Sequence, residues 1–479
     1  MSEDYYGEDS SGFINNEENI EENNSDQLIK ASTLENNFFK TEDDLVVKEN
    51  NRPEFEVVSF CGIASDSQFS AIINLISSAV GGGCLNFPSI LNAAGLPLTI
   101  FIFFIVTLSV YYTIDLLRSF VVDTKFFSFG TITLEILGEK WLTIYTISSL
   151  IFYLSIEVTY LSQIYTILSN LLDFANNYSL LKNIIFFIVS IPLEIFIFLY
   201  YAKVQKIHLL SLISCFIFLL IFLIIIITGT TNMFNRENEN QESSLIKPVI
   251  KDKVEFFFSL MSFFIEYLYG YTYHNIYPTL LSNLKNIDNK STKFIHNISF
   301  IIILIIYFLI TFFGHFLKVT MSEILFNGTS YKQVNLGRVN FFRVLICLFL
   351  FTAMPIRYII IRDNYTCLFV KDRFKEISFI KDLIAVILCT IFCNLIVYLT
   401  NISIIKFNIV TNFIQLFGGI FGVIICFILP VINYIGVNGK AKVKSIIGYI
   451  LTFLFSIIGL LSVGHSIHGI FIKNDFENV

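Results

Sequence analysis

The chain has 479 residues, of which 55% are hydrophobic and 15% charged, and its mean hydropathy is +0.70. A soluble globular domain carries about 25% charged residues, so this composition excludes a water-soluble enzyme or nucleic-acid binder and indicates an integral membrane protein. The formal net charge of −6 is unevenly placed: residues 1–66 hold 17 acidic and 4 basic side chains, and the rest of the chain is net positive.

In chain order, residues 1–66 have too little apolar content to form a core and read as a disordered, acidic cytosolic tail. No basic stretch followed by an apolar run is present there, so the tail is not a cleaved signal peptide. Beyond it, hydropathy predicts an all-α membrane domain over 67–470 with about eleven transmembrane helices. The expected spans are roughly 69–93, 96–118, 141–172, 184–201, 207–229, 254–281, 294–317, 338–360, 378–400, 408–435 and 443–467, with a short C-terminal tail over 471–479. The two longest connections carry the polar runs 236–244 and 327–335, and no soluble domain is inserted. Lysine and arginine favour one side of these spans, sixteen (Arg357 among them) against ten, which predicts a cytosolic N-terminus. Asn177 and Asn327 then head glycosylation sequons on the far side. The eight cysteines have neither zinc-ligand nor disulfide-framework spacing, and no cofactor, metal or nucleotide-binding motif is visible.

Span one contains the stretch NLISSAVGGGCLNFPSILNAAG, from Asn74 to Gly95. Three consecutive glycines, Gly81, Gly82 and Gly83, fall where a spanning helix is most regular, and each costs about 1 kcal/mol against alanine. With Pro88 following, the spacing predicts a break in the helix. Irregular backbone at membrane depth survives only where it is buried in protein or lines a cavity. The alternative is that small residues simply let a neighbouring helix approach. Span six repeats the pattern: in EYLYGYTYHNIYPTLLSNLKN, Gly270 interrupts an aromatic run and Pro278 follows, with His274 between them. Two Gly/Pro-interrupted spans standing five apart are the sequence mark of a carrier built from inverted repeats. The expected architecture is therefore five plus five inverted spans, with one extra at the end.

Four stretches carry a family resemblance. The span-one stretch resembles the first-helix signature of the amino acid/auxin permease family. Tyr273 to Pro278, continuing to Leu284 and Lys285, is similar to that family's sixth-helix pattern, with the spacing of its vacuolar and vesicular branch. The segment Phe351 to Arg357, containing Pro355, resembles the eighth helix, and Phe417-Gly418-Gly419 with Pro430 resembles the tenth. The resemblance implies an amino acid substrate held between helices one and six. Its carboxylate would meet backbone N–H groups around Ser77, Ser78, Gly81, Gly82 and Gly83. Its ammonium would meet carbonyls between Phe264 and Tyr271, with Gly270 at the break. Tyr267, Tyr269, Tyr271 and Tyr273 are expected either to shape the pocket or to pack as ordinary aromatics. Asn74, Pro88, Pro278, Pro355 and Arg357 take structural roles, with Arg357 anchoring the cytosolic end of helix eight.

Ionisable groups inside spans are costly and default to functional candidates. Glu157, Glu266 and His274 are the candidates for carrying a coupling proton. The alternative for the glutamates is a buried pair with Arg343, and for His274 a hydrogen-bonded structural role. Sodium ranks behind the proton, because Ile346, Cys347 and Leu348 stand where sodium-coupled relatives place hydroxyls, and Ser77 stands where Asn is usual. The leading reading is a secondary active amino acid carrier in an acidic, vacuole-like organelle or the plasma membrane. The alternative is an amino acid sensor of the same fold. A multi-span membrane enzyme ranks last, because none of the six histidines lies in a His or Asp/Ser constellation at a membrane face.

Overall fold

A computed structural model of the chain describes residues 59–60, 63–64, 66–171, 179–201, 207–234, 253–285, 287–317, 336–369, 379–401, 409–438 and 443–476. The sequons and both long polar connections lie outside the described residues, as do the tail up to 58 and the last three residues. Within the stretch expected as tail, Ser59–Phe60 pairs antiparallel with Ile63–Ala64. Everything else described is helical or connects helices.

Eight helices are long and apolar enough to cross a membrane among the described residues, and a bent pair in span one makes a ninth. The expected count of eleven is not reached on length and composition. Span four is helical over Ser179–Tyr201, but only Phe186–Leu199 counts as an apolar helix there. Span six is divided into Lys253–Gly270 and Tyr277–Ser282. Span three, over Glu139–Leu171, follows the hydropathy closely, while span eight runs longer than expected, over Leu336–Phe369. A short helix, Phe129–Leu137, occupies what read as a plain connection; it packs on span three and on the C-terminal part of span ten. Its nine residues are too few to register as a span.

The outside of this bundle is apolar. In span five, Phe216, Leu219, Leu223 and Ile227 recur at helical spacing and are all exposed, which is the stripe a lipid-facing helix presents. Polar side chains are inside: Asn74, Glu157, Glu194, His274 and Arg343 are buried. Span three packs against span eight and span four against span nine, the pairs a five-plus-five repeat sets in correspondence. Span one lies against spans five and seven, and span six against span eleven.

Span ten departs from a regular helix. Residues Gly418–Gly422 and Ile424–Ile428 are wound as π-helix, a form frequent at functional sites. Here close packing accompanies it: an added Cβ on Gly459 of span eleven would stand 2.2 Å from the Gly419 carbonyl oxygen. Only glycine permits the two backbones to cross so closely.

Candidate functional site

Both expected breaks form. In span one, Gln68–Ala79 is capped by the Ser67 hydroxyl, which accepts from the Ser70 N–H at 3.1 Å. The helix ends where Val80 and Gly81 turn extended. A tight turn over Gly82–Asn86 then leads into Phe87–Ala94, with Pro88 in its first turn, where a missing N–H costs nothing. The two halves are bent by 52°. In span six, Lys253–Gly270 stops at its glycine and Tyr277–Ser282 restarts at Pro278.

The breaks meet. An added Cβ on Gly83 would lie 3.3 Å from the Tyr269 ring and 3.8 Å from the Gly270 Cα, and one on Gly270 would stand 2.4 Å from the Phe87 ring. Each break leaves carbonyls without helical partners, and Tyr307 of span seven serves both. Its hydroxyl lies 2.7 Å from the Ala79 oxygen and 2.6 Å from the Gly270 oxygen. A hydroxyl has one proton to donate, so the two carbonyls share it. Nothing in the sequence around Tyr307 marked it out, since a tyrosine in an aromatic-rich span has no local signature.

A cavity opens beside the breaks, lined by Ser78, Ala79, Gly81 and Gly83 from span one and by Tyr269, Gly270 and Thr272 from span six. Ile156 and Tyr160 of span three and Arg357 of span eight complete it. Its free volume is about 10 Å³, about what a single water needs, so in this conformation the cavity is closed to an amino acid.

Arg357 is the main departure from expectation. It does not anchor a helix end: it sits well inside Leu336–Phe369, is buried and reaches the span-one break. An added Cβ on Gly81 would stand 2.5 Å from its Nη2 and 2.1 Å from the Tyr160 hydroxyl. Its Nη1 donates to the Ala353 carbonyl at 2.7 Å, and the guanidinium lies 4.5 Å from the centre of the Tyr160 ring. Among the described residues the ion pairs are Arg118–Asp115, Arg362–Asp382 and Lys444–Asp115; Arg357 is in none of them. Arg357 therefore presents a buried positive charge to the cavity with no carboxylate in ion-pair distance among the described residues.

The other expected residues are distributed as follows. Ser78, Gly81, Gly83 and Gly270 line the cavity, while Gly82 lies in the turn between the half-helices. Asn74 and Ser77 are buried, and the Asn74 Oδ1 and the Ser77 Oγ have no hydrogen-bond partner. Phe264 packs against Phe455 of span eleven. Tyr267 lines a separate hollow with Phe103 and Thr311, and the Tyr271 hydroxyl is 2.9 Å from that of Thr107. These three do not line the cavity. His274 Nε2 is 3.0 Å from the Thr113 hydroxyl, and Glu266 accepts from the Gln415 amide at 3.1 Å. Neither oxygen of Glu157 has a hydrogen-bond partner, and the pairing of a glutamate with Arg343 is not formed by Glu157. Pro355 lies inside the span-eight helix, two residues before Arg357.

Comparison with known proteins decides the family. A family model described as "Transmembrane amino acid transporter protein" matches residues 64–472. The chain belongs to that family. As a transmembrane amino acid transporter it is a multi-pass membrane protein, and its family and fold are those of transporters rather than enzymes. No curated protein sequence matches the transporter. Among solved structures it is similar to MhsT in complex with L-phenylalanine, at 13% identity and a TM-score of 0.53, over 84% of this chain and 98% of that one. It is also similar to two variants of the Eremococcus coleocola manganese transporter, at 12% and 11% identity and a TM-score of 0.57, over 86% of this chain and 88% of theirs. At such identities the likeness is one of fold, and the transporter shares the carrier fold with broken first and sixth helices.

Proposed function

We propose that this transporter is a secondary active carrier that moves amino acids by alternating access, with spans one, two, six and seven rocking against the others. The observation that carries the reading is that both helix breaks and an unpaired buried arginine face one closed cavity. The substrate's carboxylate takes Arg357 and the N–H groups of the first turn after Gly81, where the half-helix dipole is positive. Its ammonium takes the Ala79 and Gly270 carbonyls, which Tyr307 holds in the closed form.

Transport is driven by protons or runs as exchange. Sodium is disfavoured because span eight offers Ile346, Cys347 and Leu348 in place of hydroxyls and sets a fixed cation, Arg357, beside the span-one break. An acidic organelle of vacuolar type, or the plasma membrane, is the proposed location, with the N-terminus in the cytosol.

Uptake of a panel of radiolabelled amino acids into proteoliposomes, with and without a pH gradient, tests the reading. Accumulation or counterflow of at least one amino acid is expected. Saturable binding with neither would make the protein a sensor of the same fold.

A further inference from the structure

A second cavity lies along three of the four spans that line the central one. Span three contributes Tyr145 to it, span six Asn275 and Thr279, and span eight Ile360, Asp363 and Asn364. Its free volume is about 20 Å³. Asn275, Ile360 and Asn364 are buried, whereas Asp363 is exposed and marks the side on which this cavity meets solvent. Arg357 in the central cavity and Asn364 in the second lie two helical turns apart on one face of span eight, about 10 Å along its axis. In the orientation proposed above, the second cavity is on the cytosolic side.

Hydrogen bonds between buried side chains separate the two. The Tyr153 hydroxyl of span three donates to the Thr272 carbonyl of span six at 3.1 Å, and Thr272 lines the central cavity. One turn further along span three, the Asn275 amide of span six and the Asn364 amide of span eight both donate to the Ser149 hydroxyl oxygen, the latter at 2.6 Å. Ser149 and both asparagines are buried. A hydroxyl oxygen has two lone pairs to offer, so this one small side chain joins three spans at the partition.

The rocking motion treats these bonds differently. Span six moves with spans one, two and seven, while spans three and eight stay. The Ser149–Asn275 and Tyr153–Thr272 bonds cross that divide and must break before the second cavity can join the first. The Ser149–Asn364 bond lies within the static part, survives, and keeps the serine placed for reclosure. Water takes up the freed donors once the partition opens, so each broken bond costs only its small net worth. Polar contacts therefore close the path without locking it.

We propose that the second cavity is the chamber connecting the central cavity with the cytosol, and that Ser149 is the bolt between them, released when span six carries Asn275 away. This rests on the carrier reading above and adds to it the route on one side and the residues that close it. Ser149 is a positioning residue, since it does not line the central cavity.

The test is the rate at which a small thiol reagent labels Ile360→Cys, a reporter in the chamber wall, in the purified full chain, read by mass spectrometry for each cysteine separately. Ser149→Ala and Asn275→Ala each remove the bond across the divide. Each should speed labelling of the reporter by about 2–12-fold, the equilibrium factor of one net hydrogen bond. Together they should do no more than either alone, because both remove the same interaction. Asn364→Ala, whose bond does not cross the divide, should leave the rate near that of the reporter chain, and so should Ser149→Thr, which keeps the hydroxyl. Native Cys393, buried on span nine and outside the chamber, should stay protected throughout.

An unchanged rate in Ser149→Ala or Asn275→Ala overturns the proposal, and so does an effect of Asn364→Ala as large as that of Asn275→Ala. Faster labelling of Cys393 alongside the reporter also overturns it, because the variants would then loosen the whole fold. Should Ser149→Ala fail to fold, Asn275→Ala decides alone. Amino acid exchange by the wild type, measured in parallel, keeps the two readings apart. Exchange with a reporter indifferent to Ser149 and Asn275 sinks this inference and leaves the carrier standing. A wild type that neither binds nor exchanges amino acids sinks the carrier reading itself.

Discussion

Replacing Gly81 by alanine probes the cavity at its most crowded point. The added methyl would stand 2.1 Å from the Tyr160 hydroxyl and 2.5 Å from the Arg357 Nη2. Gly81 has φ −144° and ψ −176°, extended backbone open to any residue, so the cost comes from space alone. Both neighbours must withdraw by about 1 Å to reach ordinary contact. Neither withdraws freely, because Tyr160 is fully buried and Arg357 is held by the Ala353 carbonyl and stacked over the Tyr160 ring.

Overpacking of this kind costs about 1–3 kcal/mol of stability; relieved by displacing Arg357 and Tyr160 from the cavity, the same free energy is a factor of about 5–150 in affinity. The expected result is a fall of that size in kcat/KM for amino acid uptake into proteoliposomes, with the variant still folded by size-exclusion chromatography. Tyr160→Phe in the same chain removes the nearer of the two clashing atoms and should restore part of the loss, measured as the coupling in a double-mutant cycle. Wild-type uptake in Gly81→Ala, or no rescue by Tyr160→Phe, would refute the placement of Arg357 and Tyr160 at the break.

Tyr307→Phe leaves the Ala79 and Gly270 carbonyls without their shared donor, at about 1–3 kcal/mol for an unsatisfied buried group. It should lower the melting temperature in detergent, and an unchanged melting temperature would mean the hydroxyl does not hold the two breaks. Gly459→Ala drives a methyl to 2.2 Å from the Gly419 oxygen. Because backbone cannot step aside as a side chain does, folded yield should drop sharply, while an alanine further out, at Gly464 where a Cβ meets nothing within 4 Å, should be neutral. Asp288 caps span seven by accepting from the Ser291 N–H at 3.3 Å, and the Ser291 side chain, with the backbone N–H groups of that first turn, holds its carboxyl below the usual value. Its stabilising contribution is therefore present above the ordinary carboxylate pKa and is lost as pH falls through the lowered one. Protection of residues 289–292 against hydrogen exchange, taken relative to the intrinsic rate at each pH, should fall in acid in the wild type. It should not do so in Asp288→Asn, which caps without titrating; identical acid response in both would remove Asp288 as the cause.

The sequence alone determined the membrane class and the two helix breaks. Glycine and proline act on the backbone within a few residues, so Gly81–Gly83 with Pro88, and Gly270 with Pro278, were legible before any fold was known. Length and apolarity likewise marked most spans, and the ionisable groups within them stood out as costly. Tertiary structure decided which way each side chain faces, because rotation of a buried helix is set by its neighbours. Thus Tyr267 and Tyr271 line other contacts while Tyr269, between them, reaches the cavity. Arg357, counted from sequence among the charges at a membrane face, instead lies against the span-one break. Tyr307 and Asn364 acquire their roles only when spans one, six and seven, or three and eight, are brought together, and no local pattern encodes a contact between residues 200 or more positions apart.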